Sequence, residues 1–505
     1  MELKSAGYCA FVFAALLVYF CFHKNRTLQR NVILVSSALL IVSLTNVPTL
    51  LLMLFIALTV FILGLAIEKS TVEGNMKKAR CLMFAGVFFV LGILIYFKFF
   101  TFTFEALRRF AAGRGVSFGE LVFPVGLSYY ALSMTAYLID IYHKKHGAEK
   151  SFPDILEFFF YFPSITEGPI NLYAKTMPQL KEAHSFDSDR CVLGLLRILW
   201  GYIKKVVIAD RIGILVTGIL SEKENGGFIL FFAMLLYSFQ IYTDFSGGID
   251  VIMGVSEILG VKLTENFRAP LVSKSVTEFW QRWHMSLGEF MEKYVYYPIV
   301  LNKRVMKLSK KVRWKYLQRA FSATLASVIV FILVGIWHGT GWNYVVYGCF
   351  QAFFVSQAVL LAPVWKNARA GLKINDAGLS YRILTALRTF LILTFGRYFI
   401  KAANLSNAVE MLRRTFTEWR FSCLFDGSLL HYGLDIKNLY LMYFSILLII
   451  IADILAERKV SIRSWILSQD RLLRYMVYLA GVFFVIIFGI YGKGYDSTTF
   501  IYQAF

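Results

Sequence analysis

Charged residues are scarce in this 505-residue sequence, at 17% of the chain, whereas 58% of the residues are hydrophobic and the mean hydropathy is +0.60. A soluble chain of this length needs far more polar surface to cover its cores. Apolar runs near or above ~18 residues recur instead, and that length crosses ~30 Å of hydrocarbon as a helix. The composition excludes a soluble globular protein and predicts an all-α polytopic membrane protein.

The apolar runs also predict where the spans lie. We place them at 6–22, 48–67, 82–100, 190–220 with an interruption, 228–243, 320–337, 342–362, 383–400, 438–456 and 476–491, with 31–46 as a shorter candidate. The first run leads into "FCFHKNRTLQR" rather than into a small-x-small cleavage site, so we expect a retained span and not a signal peptide.

Signatures of several other protein classes are missing. The six cysteines form no CxxC pair and lie mostly in apolar runs, which is typical of small core residues and not of a disulfide frame. The chain has neither a Walker-type glycine loop nor a G-x-G-x-x-G pattern. It also has no long flexible linker and no visible internal repeat, which disfavours the repeat-built transporters. We therefore predict one integral domain over residues 1–505.

The basic residues outnumber the acidic ones, 53 to 32, for a formal net charge of +21. They sit in loops between apolar runs, and the densest block is 301–319, "LNKRVMKLSKKVRWKYLQR". This pattern predicts cytoplasmic loops held near anionic lipid headgroups. It disfavours a nucleic-acid partner, because no basic region comes with a soluble fold to present it.

Polar and Gly/Pro clusters interrupt the apolar pattern in the middle of the chain, between about 120 and 350. The interrupted segments are 122–143, 161–173 and 241–254, the last with the sequence "IYTDFSGGIDVIMG". Non-helical backbone at membrane depth survives only where protein or a water-filled cavity satisfies its polar groups. We therefore expect short, oblique or re-entrant helices around a polar chamber, and we assign 120–350 as the catalytic core.

Two of the seven histidines stand apart from polar loops. His338 ends an apolar run in "VFILVGIWHGTGWNYVVYG", and two glycines, Gly339 and Gly341, follow it. It is either a packed ring bonded to backbone or a functional group, and ionisable residues inside membranes favour the second interpretation. The glycines are expected to end the helix and leave room beside the ring. Imidazole titrates near neutral pH, which suits a general base acting on a hydroxyl.

His284 lies in the aromatic, amphipathic stretch "VTEFWQRWHMSLGEFMEKYVYYP". That stretch is equally well explained as an interfacial aromatic belt and as part of a functional site. Metal binding is a weaker alternative, because neither His284 nor His338 has a second histidine three or four residues away. No bound metal is predicted.

The ordered motifs of the core resemble one family. They are "FPVGLSYYALSMTAYLIDIYH", "FPSITEGPI", "GYIKKVVIADRIG", "YSFQIYTDFSGGIDVIMGVSEILGVKLTENFRAP", "SVTEFWQRWHMSL" and "GIWHGTGWNYVVYG". Together they resemble the membrane-bound O-acyltransferase (MBOAT) family, in particular its bacterial branch of alginate and peptidoglycan O-acetyltransferases, to which the teichoic acid D-alanyltransferases are related. The resemblance implies a ring of about 11 tilted transmembrane helices around short re-entrant helices and a central tunnel.

The resemblance also implies roles. It places the catalytic base on His338 and the second catalytic histidine on His284, with Trp337, Asn343, Asp244 and Trp283 as candidate oxyanion or tunnel residues. The chain departs from the alginate-type pattern at Glu167 and at Gly248–Ile249–Asp250, which leaves donor and acceptor open. The end of the chain, "TTFIYQAF", is aromatic like that of the branch, and Tyr502 is either an acyl relay or an interfacial anchor.

The expected reaction is O-acylation of a cell-envelope or extracellular polysaccharide, at the bacterial cytoplasmic (inner) membrane. No cofactor is expected to stay bound; acetyl-CoA, or an acyl-carrier thioester, is the co-substrate. The family implies an extracytoplasmic partner protein. Two alternatives remain: D-alanyl transfer from a carrier protein docked on 301–319, and a transporter that uses Asp244, Asp250 and Glu167 without chemistry.

Overall fold

A computed structural model describes residues 5–100, 122–222, 224–417 and 419–491. These residues are helical with connecting loops, and their one β-bridge is an isolated pair between Phe267 and Trp283. The helices of the first half are α1 (Ala6–Cys21), α2 (Arg26–Leu44), α3 (Val47–Val72), α4 (Met76–Phe99), α5 (Leu127–Tyr142), α6 (Phe152–Phe159), α7 (Tyr173–Leu180), α8 (Ser188–Tyr202), α9 (Asp210–Ser221) and α10 (Gly227–Leu259).

The second half begins with short helices and then returns to long ones. They are α11 (Val276–Trp280), α12 (Met285–Met291), α13 (Tyr297–Val300), α14 (Lys303–Ser309), α15 (Lys315–His338), α16 (Trp342–Leu360), α17 (Ala362–Gly371), α18 (Leu379–Lys401), α19 (Leu405–Thr415), α20 (Ile436–Glu457), α21 (Ile462–Leu467) and α22 (Arg471–Phe488). Two π-helical segments, Ile203–Ala209 and Glu292–Tyr296, precede α9 and α13.

Short polar side chains set the starts of the long helices. Asn25, Asn46 and Asn75 accept a hydrogen bond from the backbone N–H three residues ahead, at 3.1, 2.9 and 3.1 Å, and so begin α2, α3 and α4. Asp435 and Asp470 do the same for α20 and α22. Such caps satisfy donors that the first turn leaves without partners. The apolar runs therefore become separate helices joined by tight turns.

Eight helices in the described part of the chain are long and apolar enough to cross a membrane, or nine if a bent pair counts as one span. The eight confirm eight of the eleven predicted spans. The other three are short or broken: α1 has 16 residues, a π-helical segment separates α8 from α9, and α16 meets α17 at a bend of 61°. The protein is an all-α, multi-pass membrane protein.

The predicted break at 241–254 is wrong. The helix α10 runs without interruption for 33 residues through Asp244 and the Gly247–Gly248 pair. The glycine serves close packing instead, because a Cβ on Gly247 would lie 2.9 Å from the carbonyl oxygen of Gly201. By contrast, 161–172 is irregular and almost entirely buried, as predicted for a polar interruption.

The described residues form two compact units. The first comprises the residues up to 198 together with 248–264, and the second comprises 199–247 and 265–491. In the first unit, Gly126 has a φ of +71° before α5, and a Cβ there would lie 1.7 Å from the Ile165 carbonyl oxygen. Only glycine fits that approach, which fixes the irregular segment against α5. The second unit contains both candidate histidines.

Candidate active site

The hairpin of α15 and α16 carries His338. Its two helices approach closely at glycines: a Cβ on Gly335 would lie 2.4 Å from the Tyr344 carbonyl oxygen, and one on Gly348 would lie 2.4 Å from that of Phe331. Small residues at such a crossing let two membrane helices pack backbone to backbone. The close crossing fixes the end of α15 and therefore the position of His338, its last residue.

The surroundings of His338 are tighter than expected. The helix ends at Gly339, as predicted, but the ring of Tyr344 lies where a Cβ on Gly339 would stand, at 2.3 Å. The imidazole is 4% exposed. The glycine therefore makes room for Tyr344, and the solvated passage to His338 stays a prediction.

His284 stands on an unusual backbone. Its φ and ψ are 49° and 51°, in the left-handed region that costs a non-glycine residue about 1–2 kcal/mol. Two backbone hydrogen bonds hold the segment there, from the Met285 N–H to the Asn266 carbonyl at 3.0 Å and from the Arg268 N–H to the Arg282 carbonyl at 3.0 Å. A strained residue fixed by its neighbours is typical of a functional position.

The Asn266 side chain determines the tautomer of His284. Its Oδ1 accepts from the Ser286 N–H at 3.0 Å and from the Ser286 hydroxyl at 2.9 Å, and it lies 3.3 Å from His284 Nδ1. Because an amide oxygen can only accept, Nδ1 must carry the proton and Nε2 the lone pair. Burial lowers the pKa of the His284 imidazole to about 3, so the ring is neutral at physiological pH.

The Trp337 indole contacts both histidines. Its ring centroid is 5.8 Å from that of His284 and 5.0 Å from that of His338. Phe245 packs edge-on against His284 at 5.0 Å, and Tyr347 lies 6.4 Å from His338. The structure therefore places His284 against the helix end that carries Trp337 and His338, so that three of the predicted site residues come together from two segments.

Trp283 anchors the other side of His284 in an aromatic cluster. The indole stacks on Phe279 at 5.3 Å and meets Phe267 edge-on at 5.0 Å. The guanidinium of Arg397 lies over it, 5.1 Å from the ring centroid. This packing explains why Trp283 is 2% exposed, and it makes the residue a wall of the site.

Asp244 belongs to a buried ion cluster. Lys205 pairs with it and, at 3.0 Å, with Asp210, and all three side chains are at most 5% exposed. Lys205 lies on the π-helical segment, a feature that often marks functional sites. The carboxylate of Asp244 is thus engaged by a cation, and its predicted tunnel role stays a prediction.

Asn343 caps a neighbouring helix. Its side-chain amide donates to the Phe399 carbonyl at 2.9 Å and to the Ala402 carbonyl at 3.1 Å, at the end of α18. Both amide hydrogens therefore have acceptors in this structure. A role at an oxyanion would require one of them to turn away, and it stays a prediction.

The remaining candidates lie elsewhere. Asp250 pairs with Arg197 at 2.9 Å, and Glu167 is fully buried, both in the first unit. Tyr502 lies outside the described residues. Among those residues, no group of three or more His, Cys, Asp or Glu side chains is placed to hold a metal.

Three contributors to the site were missed from sequence. Lys205 and Arg397 are charges inside apolar runs, and ionisable residues there are functional candidates by default, so a signal existed. Asn266 had no comparable signal, because a single asparagine in "TENFRAP" does not show which side chain it will meet.

Comparisons with known proteins show what the sequence is similar to. Residues 143–364 match the family model for MBOAT, membrane-bound O-acyltransferase family. The chain is similar to "Probable alginate O-acetylase AlgI" of Azotobacter vinelandii, with 28% identity over 77% of this chain and 74% of that protein. It is also similar to the peptidoglycan O-acetyltransferase of Helicobacter pylori, with 27% identity over 58% and 57% of the two chains. The teichoic acid D-alanyltransferase of Bacillus subtilis is 31% identical over 40% of this chain and 50% of that protein.

A multi-pass helical protein with two buried histidines on one tryptophan, and with these relatives, is a membrane-embedded acyltransferase. Over residues 143–364 the chain is similar to the membrane-bound O-acyltransferase family, and its acetylase and D-alanyltransferase relatives support the same assignment. The transporter alternative has no comparable support.

Proposed function

We propose that this protein transfers an acyl group, most simply acetyl, from a cytoplasmic thioester to a hydroxyl of a cell-envelope or extracellular polysaccharide. The observation that carries the proposal is the placement of two buried histidines against the Trp337 ring. Acetyl-CoA is the first choice of donor, and the bacterial cytoplasmic membrane is the proposed location, since the similar acetylases are bacterial.

His338 acts as the general base. It takes the proton of the acceptor hydroxyl, and the resulting alkoxide attacks the thioester carbonyl carbon. The tetrahedral intermediate collapses as the C–S bond breaks, and the thiolate leaves with the proton returned from His338. The ester product and free thiol then depart.

His284 supports this step as an acceptor. Because Nδ1–H faces Asn266, the lone pair on Nε2 can receive a hydrogen bond from a bound water or from a second hydroxyl of the acceptor, which leaves the hydrogen of the reacting hydroxyl to His338. The left-handed backbone holds the ring in that orientation, so His284 orients a substrate that His338 deprotonates.

An extracytoplasmic polysaccharide-modifying protein completes the proposed route, by receiving the acyl group or presenting the polymer. Tyr502 is either an interfacial anchor or a covalent relay; as a relay, its own hydroxyl would be the one that His338 deprotonates, and the resulting tyrosyl ester would then pass the acyl group to the acceptor. Deleting the last eight residues tests the relay separately, because undiminished transfer by a folded, truncated protein excludes it.

The test uses purified protein in vesicles with isotope-labelled acetyl-CoA and an oligosaccharide acceptor. His338→Ala should reduce transfer about 10²- to 10⁴-fold, the usual contribution of a general base. His431→Ala, an exposed histidine in the same unit, is the matched control and should keep full activity. Equal activity of His338→Ala and the parent protein would refute the assignment. Mass spectrometry of envelope polysaccharides with and without the protein would then name the group and the polymer.

D-alanyl transfer from a carrier protein is the second candidate, and one surface favours it. Residues 303–319 carry eight Lys and Arg side chains, all exposed, and no acidic residue. Such a block suits an acidic carrier protein. Replacing Lys310 and Lys311 by glutamate should raise KM for a carrier-bound donor and leave KM for acetyl-CoA unchanged.

A further inference from the structure

A cleft lies beside the aromatic wall of the site. It encloses about 340 Å³, part of it open to solvent, between α18 and the segment 270–283. Its lining is largely apolar, with Leu271, Phe279 and Leu393 among the contributors, and it includes one cation, Arg397.

Arg397 has no carboxylate partner in the described part of the chain. The residue is 3% exposed, and its Nε–H is buried without a hydrogen-bond acceptor there. The guanidinium lies over the rings of Trp283 at 5.1 Å and Phe279 at 5.9 Å, and the Tyr347 hydroxyl lies beside it. Cation–π contacts offset only part of the cost of burying a charge.

The other polar groups of the cleft are already engaged. Ser273 donates to the Pro270 carbonyl at 2.7 Å, and Thr389 donates to that of Thr385 at 2.8 Å. The carboxylate that contacts the lining, Asp453, accepts from the Tyr242 hydroxyl and the Leu271 N–H. The cleft thus offers one guanidinium in apolar surroundings, which suits an anionic head on an apolar body.

We propose that this cleft binds a phosphate group through Arg397. A guanidinium fits phosphate oxygens in a bidentate manner, and the two natural sources are a phospholipid headgroup and free phosphate. The position of Arg397 connects such a ligand to the site. It touches Trp283, the neighbour of His284, and lies beside Tyr347, whose ring contacts His338. A phosphate group bound to Arg397 would therefore fix the position of Trp283 beside His284 and of Tyr347 beside His338.

The test compares the full-length parent protein with Arg397→Gln and a matched control. Arg382→Gln removes an exposed arginine from the same helix. Thermal unfolding is followed in detergent with phosphatidylglycerol, phosphatidylcholine, sodium phosphate at constant ionic strength, or coenzyme A. We expect saturable protection of the parent protein and of Arg382→Gln, with the ligand concentration for half-protection raised about 10- to 100-fold in Arg397→Gln.

The outcomes separate the sources. Protection by phosphatidylglycerol alone assigns the cleft to a lipid headgroup, and equal protection by inorganic phosphate assigns it to the free anion. Equal protection of the parent protein and Arg397→Gln overturns the proposal. Arg397-dependent protection by coenzyme A alone overturns both named sources, because the phosphates of the donor would then be the ligand. Should Arg397→Gln fail to fold, a cryo-EM map of the parent protein in phosphatidylglycerol nanodiscs decides, since an empty cleft beside an ordered Arg397 also overturns it.

Discussion

The Oδ1 atom of Asn266 is shared by three donors around His284, which makes this residue the sharpest place to perturb the site. Asn266→Ala removes the acceptor of the Ser286 N–H, the Ser286 hydroxyl and His284 Nδ1. A buried donor left without an acceptor costs about 1–3 kcal/mol, and each further lost hydrogen bond about 0.5–1.5 kcal/mol. We expect a loss of about 2–6 kcal/mol in unfolding free energy, with lower kcat because the His284 tautomer is no longer fixed.

Asn266→Asp separates geometry from charge. Aspartate keeps an oxygen at the position of Oδ1, and the Nδ2 group that it replaces has no acceptor among the described residues. The new carboxylate faces His284 Nδ1, and an opposite charge in contact shifts a pKa by about 1–3 units. The pKa of His284, about 3 in the parent protein, should therefore rise. As the pH is lowered, His284 would then become protonated at a higher pH than in the parent protein.

The sign of the pH effect follows from linkage. In the parent protein the folded pKa of His284 lies below its unfolded value, so stability is lost as pH falls from about 6.5 towards about 3, by ~1.4 kcal/mol per pH unit. Asn266→Asp should reduce this acid sensitivity and move the acid limb of kcat to higher pH. Asn171→Ala, a buried asparagine in the first unit, is the control and should leave the pH profile unchanged. Identical profiles for Asn266→Asp and the parent protein would refute the assigned tautomer.

The remaining predictions concern the scaffold. Lys205→Met leaves Asp210 and Asp244 buried without their cation and should cost about 3–5 kcal/mol in unfolding free energy, partly restored by adding Asp244→Asn. Gly335→Val should prevent the close crossing of α15 and α16 and abolish transfer, whereas Gly371→Ala, where a Cβ meets nothing within 4 Å, should be silent in the same assays. Asn343→Ala should lower the unfolding free energy by about 1–2 kcal/mol through the lost cap of α18; a kcat loss near 10²-fold at unchanged KM would instead favour an oxyanion role.

The length of apolar runs made most of the fold predictable. A span needs enough apolar residues to cross hydrocarbon, and that requirement can be counted along the chain, as for α3, α15 and α20. The same counting failed at 241–254, because Gly247 and Gly248 indicate a break only when nothing packs against them. Here the carbonyl of Gly201 lies close to Gly247, and a continuous helix with a small-residue face results.

The candidate site was predictable residue by residue but not as an arrangement. His338 could be placed at a helix end because Gly339 follows it, and that position is confirmed. The contact of Trp337 with His284 could not be predicted, since it joins segments more than fifty positions apart in sequence. The bond from Asn266 to His284 and the stacking of Arg397 on Trp283 are hidden for the same reason: composition and spacing carry no distances between side chains of different elements.

The hydrogen-bond directions restrict how the two histidines can divide the reaction. At neutral pH, His284 has its one N–H facing Asn266, and Asn343 has both amide hydrogens on carbonyls of the α18 end. Neither can donate to a developing oxyanion without first giving up a bond that shapes the site, which would raise the barrier that such a donor is meant to lower. In the proposed mechanism, stabilisation of the oxyanion would therefore come from a group that still has a hydrogen to donate, and His284 would act on the nucleophile. In the proposed mechanism the two imidazoles would therefore have different tasks: Nε2 of His284 would accept a hydrogen bond from a bound water or a second hydroxyl and so position the acceptor, and His338 would remove the hydrogen of the reacting hydroxyl as the carbon–oxygen bond forms.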